Sequence, residues 1–206
     1  MSNSDEKRKA AGFLSRRQFV CVAGAGVTAT AFASAKTWTA GTALRMGGSE
    51  DLVFQSATRL AELIRTKEVS SEEVVKAFLG QIQKVNPKLN AVVEITAQSA
   101  LREAREADSL LARGQLKGPL HGVPMTIKDS INTAGVVTTH ATLGCKGQVP
   151  KSDGTVVSRM KQAGAILLGK TNLPELALAA ETDHLVYGRT NDPYRLHRNP
   201  GGSSGG

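Results

Sequence analysis

The chain of 206 residues is 40% hydrophobic and 21% charged, a composition typical of globular domains. Its two cysteines are too few for a disulfide framework or a cysteine-based metal site, and its four histidines follow no metal-ligand spacing. Residues 1–35 carry +3 of the net charge of +8. The rest is spread over mixed charges, with no basic stripe interleaved with aromatic residues, so no nucleic-acid partner is expected.

The first 35 residues have the three parts of an export signal. Arg16 and Arg17 precede a weakly hydrophobic stretch at residues 20–32, and the small residues at 33–35 follow as a cleavage site. The arginine pair resembles that of twin-arginine signals. The apolar stretch is shorter than the roughly 20 residues that a membrane-spanning helix needs. We predict cleavage after residue 35, export by the twin-arginine machinery to a periplasmic or secreted location, and no stable membrane anchor.

The apolar stretch also contains GAGVTA, residues 24–29, which matches the dinucleotide-binding pattern G-x-G-x-x-A. That pattern requires a buried strand before it and a βαβ unit around it. The paired arginines stand just upstream instead, which favours the export signal.

Residues 36–55 are predicted to be a linker, and residues 56–206 to be the folded domain. The domain opens with a helical pattern that Ser56 begins. Leu60 and Leu63 lie on one face of this helix, as expected for packing against a core.

Two further amphipathic helices are predicted. Ser70 and Glu73 form a capping box, S-x-x-E, at the start of the second helix. This helix should end before the Asn-Pro pair that contains Pro87. The third helix covers about residues 97–113, and Gly114 is its natural stop.

After Gly118 the pattern changes to short apolar segments. Residues 123–128 are predicted to form a strand, residues 155–165 a short helix and residues 166–168 a buried strand. Residues 172–180 suggest a brief helix with a proline near its first turn. The succession of strand, helix and strand indicates an α/β fold.

Two places carry candidate catalytic residues: Lys128, and the serines of the closing stretch GGSSGG, residues 201–206. Burial at the end of an apolar strand would lower the pKa of Lys128 and let it accept a proton near neutral pH. The alternative is that its side chain extends into water. For the closing stretch, the alternative is an unstructured connector.

Three segments together resemble the amidase signature family of serine hydrolases. They are GPLHGVPMTIKD (118–129), DGTVVSRMKQAGAILLGKTNLPE (153–175) and YGRTNDP…NPGGSSGG (187–206). The resemblance covers about residues 56–206 and is specific from Gly118 onward. It implies a mixed β-sheet layered between helices, of which this chain has the N-terminal part, preceded by a helical segment. It also implies hydrolysis of a carboxamide C–N bond by a Ser–Ser–Lys triad, with no metal or organic cofactor.

The resemblance assigns roles to two residues. Lys128 matches the family's base lysine, and Ser203 matches its bridging serine, which in the family follows a cis peptide bond. Neutral Lys128 would draw the proton of Ser203, and Ser203 that of a nucleophilic serine, which attacks the amide to form an acyl-enzyme. Backbone N–H groups beside the nucleophile would hold the oxyanion.

In the family the nucleophile and the oxyanion loop lie beyond the position of Gly206. We therefore expect this chain to be an incomplete amidase domain, inactive alone and with poorly covered sheet edges. The expected partner is a small-molecule amide, and a homodimer is left open. The alternative is a non-catalytic member of the same fold, retained for binding or assembly. Ammonia transfer to aminoacyl-tRNA, another activity in the family, is disfavoured because charged tRNA is cytoplasmic.

Two other motif matches are weaker. Residues 201–205 fit the nucleophile elbow G-x-S-x-G, which needs an apolar strand directly before it, and none is predicted there. Residues 164–171 formally match the phosphate loop G-x-x-x-x-G-K-T, but their middle is the predicted buried strand. A nucleotide-binding module would be stabilised by ATP, and we expect no such stabilisation.

Overall fold

The computed structural model describes residues 49–206. The predicted export signal and most of the predicted linker lie outside the described residues. The helices are α1 (Ser49–Leu52), α2 (Ala57–Arg65), α3 (Ser71–Leu89), α4 (Ala97–Ala112) and α5 (Thr155–Gln162), and the strands are β1 (Val92–Ile95), β2 (Pro124–Lys128) and β3 (Ile166–Thr171).

Side-chain caps begin α2 and α3 at the predicted positions. Ser56 Oγ accepts a hydrogen bond from the backbone N–H of Arg59 at 3.1 Å. In α3, Ser70 Oγ accepts from the N–H of Glu73 at 3.1 Å, and the Glu73 carboxylate accepts from the N–H of Ser70 at 2.8 Å. The predicted capping box is thereby confirmed. α4 ends just before Gly114, which has a φ of 74°.

α3 continues past Pro87, so the prediction that it ends before the Asn-Pro pair is wrong. A proline inside a helix removes one N–H donor and crowds the preceding turn. Here the missing N–H donor lies in the last turn of the helix. Asn90 follows that turn with a φ of 54°, and its N–H donates to Asn86 O at 2.7 Å. The side-chain oxygen of Asn86 accepts from the N–H groups of Ala91 and Val92, both at 2.8 Å. One amide therefore joins the helix end to β1.

The three strands form a mixed sheet in the order β1-β3-β2. β3 pairs in parallel with β2 and antiparallel with β1, which agrees with the mixed sheet that the resemblance implies. β3 extends beyond the predicted residues 166–168. β1 is not predicted from the sequence, because it is only four residues long and partly exposed throughout.

A bulge sets which residues of β2 and β3 lie opposite one another. Met125 pairs with Leu167 and Thr126 with Gly169, so Leu168 is an extra residue in β3. Beyond the bulge, Ile127 pairs with Lys170 and Lys128 with Thr171. Because side chains alternate across a sheet, the two lysines project from opposite faces.

Helices pack on both faces of the sheet. On one face, small and branched side chains of α3, α4 and β3 form a cluster of buried residues: Val75, Ala100, Ala104, Ala107, Ile166 and Leu168. On the other face, α5 packs on β2 and β3 through Ile127, Val157 and Leu167. This layering is the expected α/β arrangement.

The predicted helix at residues 172–180 is wrong. A single 3₁₀ turn forms at Glu175–Ala177, in which Leu176 and Ala177 have positive φ angles of 51° and 61°. The N–H of Leu176 donates to His140 O at 2.9 Å. A tertiary hydrogen bond thus directs this backbone away from the helix that its composition favours.

Candidate active site

The end of β2 and the glycine-rich stretch meet in space. Lys128 is the last residue of β2, and its Nζ donates to Ser203 Oγ at 2.9 Å. The peptide bond between Gly202 and Ser203 is cis, as the resemblance implies. The two side chains therefore converge as predicted.

The strand pairing and the surroundings of Lys128 suit a proton acceptor. The N–H of Asp129 donates to Thr171 O at 3.0 Å, which extends the β2–β3 ladder past Lys128. The Lys128 side chain is half-buried, and this burial lowers its pKa below the ordinary 10.5. A lower pKa increases the neutral fraction of the amine, the form that can act as a base.

The closing GGSSGG stretch is packed against the rest of the domain. The N–H of Gly206 donates to Asn172 O at 3.1 Å. A methyl group on Gly202 would lie 2.8 Å from Ala179 O, and one on Gly206 would overlap Ala91 O. Glycine is required at both positions because the backbones approach so closely. This stretch is therefore not a free connector.

Asn199 and Thr182 hold the start of this stretch. The Asn199 side-chain oxygen accepts from the N–H of Thr182 at 3.1 Å and from that of Gly201 at 2.8 Å. Its amide nitrogen donates to Thr182 O at 2.8 Å. The buried Thr182 hydroxyl donates to Gly201 O at 2.7 Å. These four bonds orient the turn that presents Ser203.

Asp129 organises the loop that follows β2. Its side chain is fully buried, and Oδ2 accepts from the N–H of Thr139 at 3.0 Å and from its hydroxyl at 2.6 Å. The backbone carbonyl of Asp129 accepts from the N–H of His140 at 3.2 Å. Oδ1 is buried and has no hydrogen-bond partner among the described residues. Asp129 is thus a buried hydrogen-bond partner of Thr139 in the turn that follows β2.

Sequence reasoning missed a second buried lysine. Lys170 on β3 is fully buried, and its Nζ donates to Ile131 O, to Thr133 Oγ1 at 2.8 Å and to Thr138 Oγ1 at 3.3 Å. Burial lowers the pKa of Lys170 to about 8, although the charge of Asp129 opposes the shift. The available signal was a lysine that continues a buried apolar strand.

The formal phosphate-loop match at residues 164–171 does not form a loop. Residues Ile166–Thr171 are β3, and the lysine of the motif is bound by protein oxygen atoms on one face of the sheet. The geometry of a phosphate-binding loop, with backbone N–H groups around an anion, is therefore absent from this part of the described chain.

A polar network ties the segment after β3 to the sheet. His184 Nε2 and Asn172 Oδ1 are hydrogen-bonded at 2.7 Å, and Asn172 Nδ2 donates to Thr190 Oγ1 at 2.9 Å. Tyr187 donates its hydroxyl to Glu94 of β1 at 2.8 Å. The His184 and Tyr187 rings meet edge to face, with 5.9 Å between their centroids. The network stabilises the backbone that leads to the glycine-rich stretch.

Within residues 49–206, no group of three or more His, Cys, Asp or Glu side chains is arranged to hold a metal ion. None of the helices in the same range is long and apolar enough to cross a bilayer. Cys145, which also lies there, is partly buried and forms no disulfide.

Similarity to known proteins agrees with this geometry. The sequence model of the family described as Amidase matches residues 73–206. The chain belongs to the amidase signature family. One similar relative is a glutamyl-tRNA(Gln) amidotransferase subunit from Carboxydothermus hydrogenoformans. It is 44% identical over 156 residues, which are 76% of this chain and 32% of that relative.

Solved structures of amidase family members share the fold. Fatty acid amide hydrolase superposes with a TM-score of 0.74 at 29% identity, over 77% of this chain and 28% of that one. The peptide amidase of Stenotrophomonas maltophilia superposes with a TM-score of 0.67 at 36% identity, over 74% and 32%. The chain thus has the N-terminal part of the amidase signature fold, and it spans about a third of the length of the relatives it matches.

Proposed function

We propose that Lys128 and Ser203 are the base and the relay of a Ser–Ser–Lys triad in an amidase. The whole protein would hydrolyse a carboxamide to a carboxylic acid and an amine or ammonia. The observation that carries this proposal is the 2.9 Å contact between Lys128 Nζ and Ser203 Oγ in a member of the amidase family. The nucleophilic serine and the oxyanion donors would come from parts of the amidase domain other than the described residues.

The reaction begins with two proton transfers. Neutral Lys128 accepts the proton of Ser203 as Ser203 takes the proton of the nucleophilic serine, whose oxygen forms a bond to the amide carbon. When the C–N bond breaks, the leaving nitrogen receives that proton back through Ser203. Water then attacks the acyl-enzyme, its proton follows the same relay, and the carboxylic acid is released.

The two segments support these roles in different ways. Half-burial lowers the pKa of Lys128 and favours the neutral amine. Ser203 is presented by a turn that Asn199 and Thr182 hold in place. Groups held in place before the substrate arrives need little reorganisation during the reaction.

The substrate class we propose is a small-molecule amide. The names of several matched structures describe enzymes that act on small molecules of this kind. Fatty acid amide hydrolase and 6-aminohexanoate cyclic dimer hydrolase are examples, the second at 37% identity. The 44% identity to an amidotransferase favours a second candidate, release of ammonia from an amide for transfer to glutamyl-tRNA. The predicted export signal favours simple hydrolysis, because charged tRNA is cytoplasmic.

An assay of ammonia and amine release by the complete amidase domain tests the proposal. The substrates are an aliphatic amide, an anilide, a peptide amide and glutamine, each with and without glutamyl-tRNA. Hydrolysis without tRNA would support the exported amidase. Turnover that requires the tRNA would support the amidotransferase activity instead. No turnover of any substrate, with ligand binding retained, would support the non-catalytic alternative.

Export to the periplasm or beyond is also part of the proposal, and it rests on residues 1–35. A reporter that is exported only in the folded state, fused after residue 35, should leave the cytoplasm. Replacing Arg16 and Arg17 by lysine keeps the charge and should block that export. Sedimentation of the complete protein would show whether it forms the homodimer that the sequence leaves open.

A further inference from the structure

The largest fully buried side chain in the described residues belongs to Lys170. An ammonium group that is removed from water is costly unless it is paired and hydrogen-bonded. Lys170 is hydrogen-bonded to three oxygen acceptors, but all three are uncharged: the carbonyl of Ile131 and the hydroxyls of Thr133 and Thr138. Both threonines are fully buried as well. So costly an arrangement calls for an explanation beyond the packing of β3.

The three acceptors belong to one loop, residues 129–139, which directly follows β2. Ile131 and Thr133 lie on its outgoing part, and Thr138 lies on its return. Lys170 therefore ties the two parts of the loop together. Asp129 makes a similar closure through the backbone and hydroxyl of Thr139.

This loop begins directly where β2 ends. Lys170 pairs with Ile127, one residue before Lys128, and Thr171 pairs with Lys128 itself. Since side chains alternate across the sheet, Lys170 holds the loop on one face while Lys128 contacts Ser203 on the other. A shift of the loop would move the end of β2, and with it the Lys128 amine.

We propose that Lys170 is a positioning residue, which anchors the loop after β2 so that Lys128 Nζ stays within hydrogen-bond distance of Ser203 Oγ. The inference rests on the proposed amidase function. It concerns a residue whose hydrogen-bond partners do not include Ser203. Asp129, Asp153 and Lys161 are the charged groups whose fields act on Lys170.

The test compares wild type with two variants of one acceptor. Thr133→Val keeps the shape of the side chain and removes the hydroxyl that Lys170 binds, whereas Thr133→Ser keeps the hydroxyl. Lys170→Met removes the ammonium group itself. The matched control is Lys146→Met, since Lys146 is exposed in a surface loop.

The first readout is the pKa of the Lys128 amine, measured by NMR on lysine labelled at Cε in the 206-residue chain. A displaced Lys128 becomes more solvated, so its pKa should rise toward the ordinary value in Lys170→Met and in Thr133→Val. It should stay at the wild-type value in Thr133→Ser and in Lys146→Met. If Lys170 only stabilises the fold, its variants will lose stability while the Lys128 pKa stays unchanged, and the proposal is then wrong.

The second readout is turnover by the complete amidase domain. A misplacement of about 1 Å can cost roughly 100-fold in rate, so Thr133→Val should lower kcat by up to that factor with little change in KM, and Thr133→Ser should restore it. Should Lys170→Met fail to fold, the Thr133 pair still decides the outcome. Full turnover in Lys128→Ala would contradict the proposed function. The NMR measurement does not depend on turnover, so it would still test the position of Lys128.

Discussion

Lys128 Nζ and Ser203 Oγ lie 2.9 Å apart, although 75 positions separate the two residues in the chain. Lys128 ends a strand that pairs along its length with β3. Ser203 lies in a turn without regular secondary structure, fixed by side-chain hydrogen bonds and by close backbone approach at Gly202. Two separately supported segments thus hold these two side chains within hydrogen-bond distance.

Removal of either member of the pair should abolish most of the activity of the complete domain. General acid–base groups typically contribute about 10²–10⁴-fold in rate, so Lys128→Ala and Ser203→Ala should each lower kcat/KM by a factor in that range. Steady-state assays on the preferred amide give the measurement. Lys146→Ala, at an exposed position, is the control and should behave as wild type. Ordinary activity in either variant of the pair would remove that residue from the mechanism.

The rate should rise with pH through the pKa of Lys128. Burial lowers this pKa from 10.5, and only the neutral amine accepts a proton. Below the lowered pKa most of the amine is charged, and above it the base is available. A profile of kcat/KM over about pH 5–10 should show a rising limb with a midpoint below 10.5. A profile that falls with pH over this range would show that the protonated amine is the active form.

Lys170 should make the protein more stable at alkaline pH. Its pKa is about 8 in the fold, against an ordinary value of 10.5, so between these values the unfolded chain binds more protons than the folded one. The free energy of unfolding then increases with pH, by up to about 3 kcal/mol. Urea unfolding at several pH values should show this gain in wild type relative to Lys170→Met. Parallel stability curves for the two proteins would contradict the lowered pKa.

Tyr187 should resist ionisation in the folded protein. Burial raises its pKa, and the hydrogen bond to Glu94 and the charge of that carboxylate raise it further. The chain has one other tyrosine, Tyr194, which is 95% exposed. An alkaline absorbance titration should therefore show Tyr187 ionising only as the protein unfolds, with Tyr187→Phe and Tyr194→Phe assigning the two signals. Stability should fall above about pH 10, because the unfolded chain there loses a proton that the fold retains. Ionisation of Tyr187 at a pH where the protein is still folded would contradict the raised pKa.

Asp108 should stabilise the start of α3. Its carboxylate accepts from the N–H groups of Ser71 at 2.7 Å and Glu72 at 3.1 Å, from a different helix. Asp108→Ala should lower the free energy of unfolding by about 1–2 kcal/mol, as expected for loss of a helix cap. Asp108→Asn keeps one acceptor and should cost less. The exposed Asp183 provides the control, Asp183→Ala, and an equal effect of both alanine variants would argue against the cap.

Local patterns were sufficient where the interaction is itself local. The capping box at Ser70 and Glu73 joins residues three positions apart, and it forms as predicted. The same kind of reasoning gave a wrong helix end at Pro87. Hydrogen bonds of Asn86 and Asn90 in the last turn of α3 compensate for the donor that the proline lacks. The segment at residues 172–180 failed as a helix because its Leu176 N–H binds the distant carbonyl of His140.

The order and spacing of three motifs in the sequence determined the family, the general fold and the identity of Lys128 and Ser203 as partners. The tertiary structure alone showed the bulge at Leu168, which sets which residues of β2 and β3 lie opposite one another, and the burial of Lys170 on the face of the sheet opposite Lys128. The physical reason is that burial and strand register depend on contacts between segments far apart in the chain. No local pattern of residue types encodes those contacts.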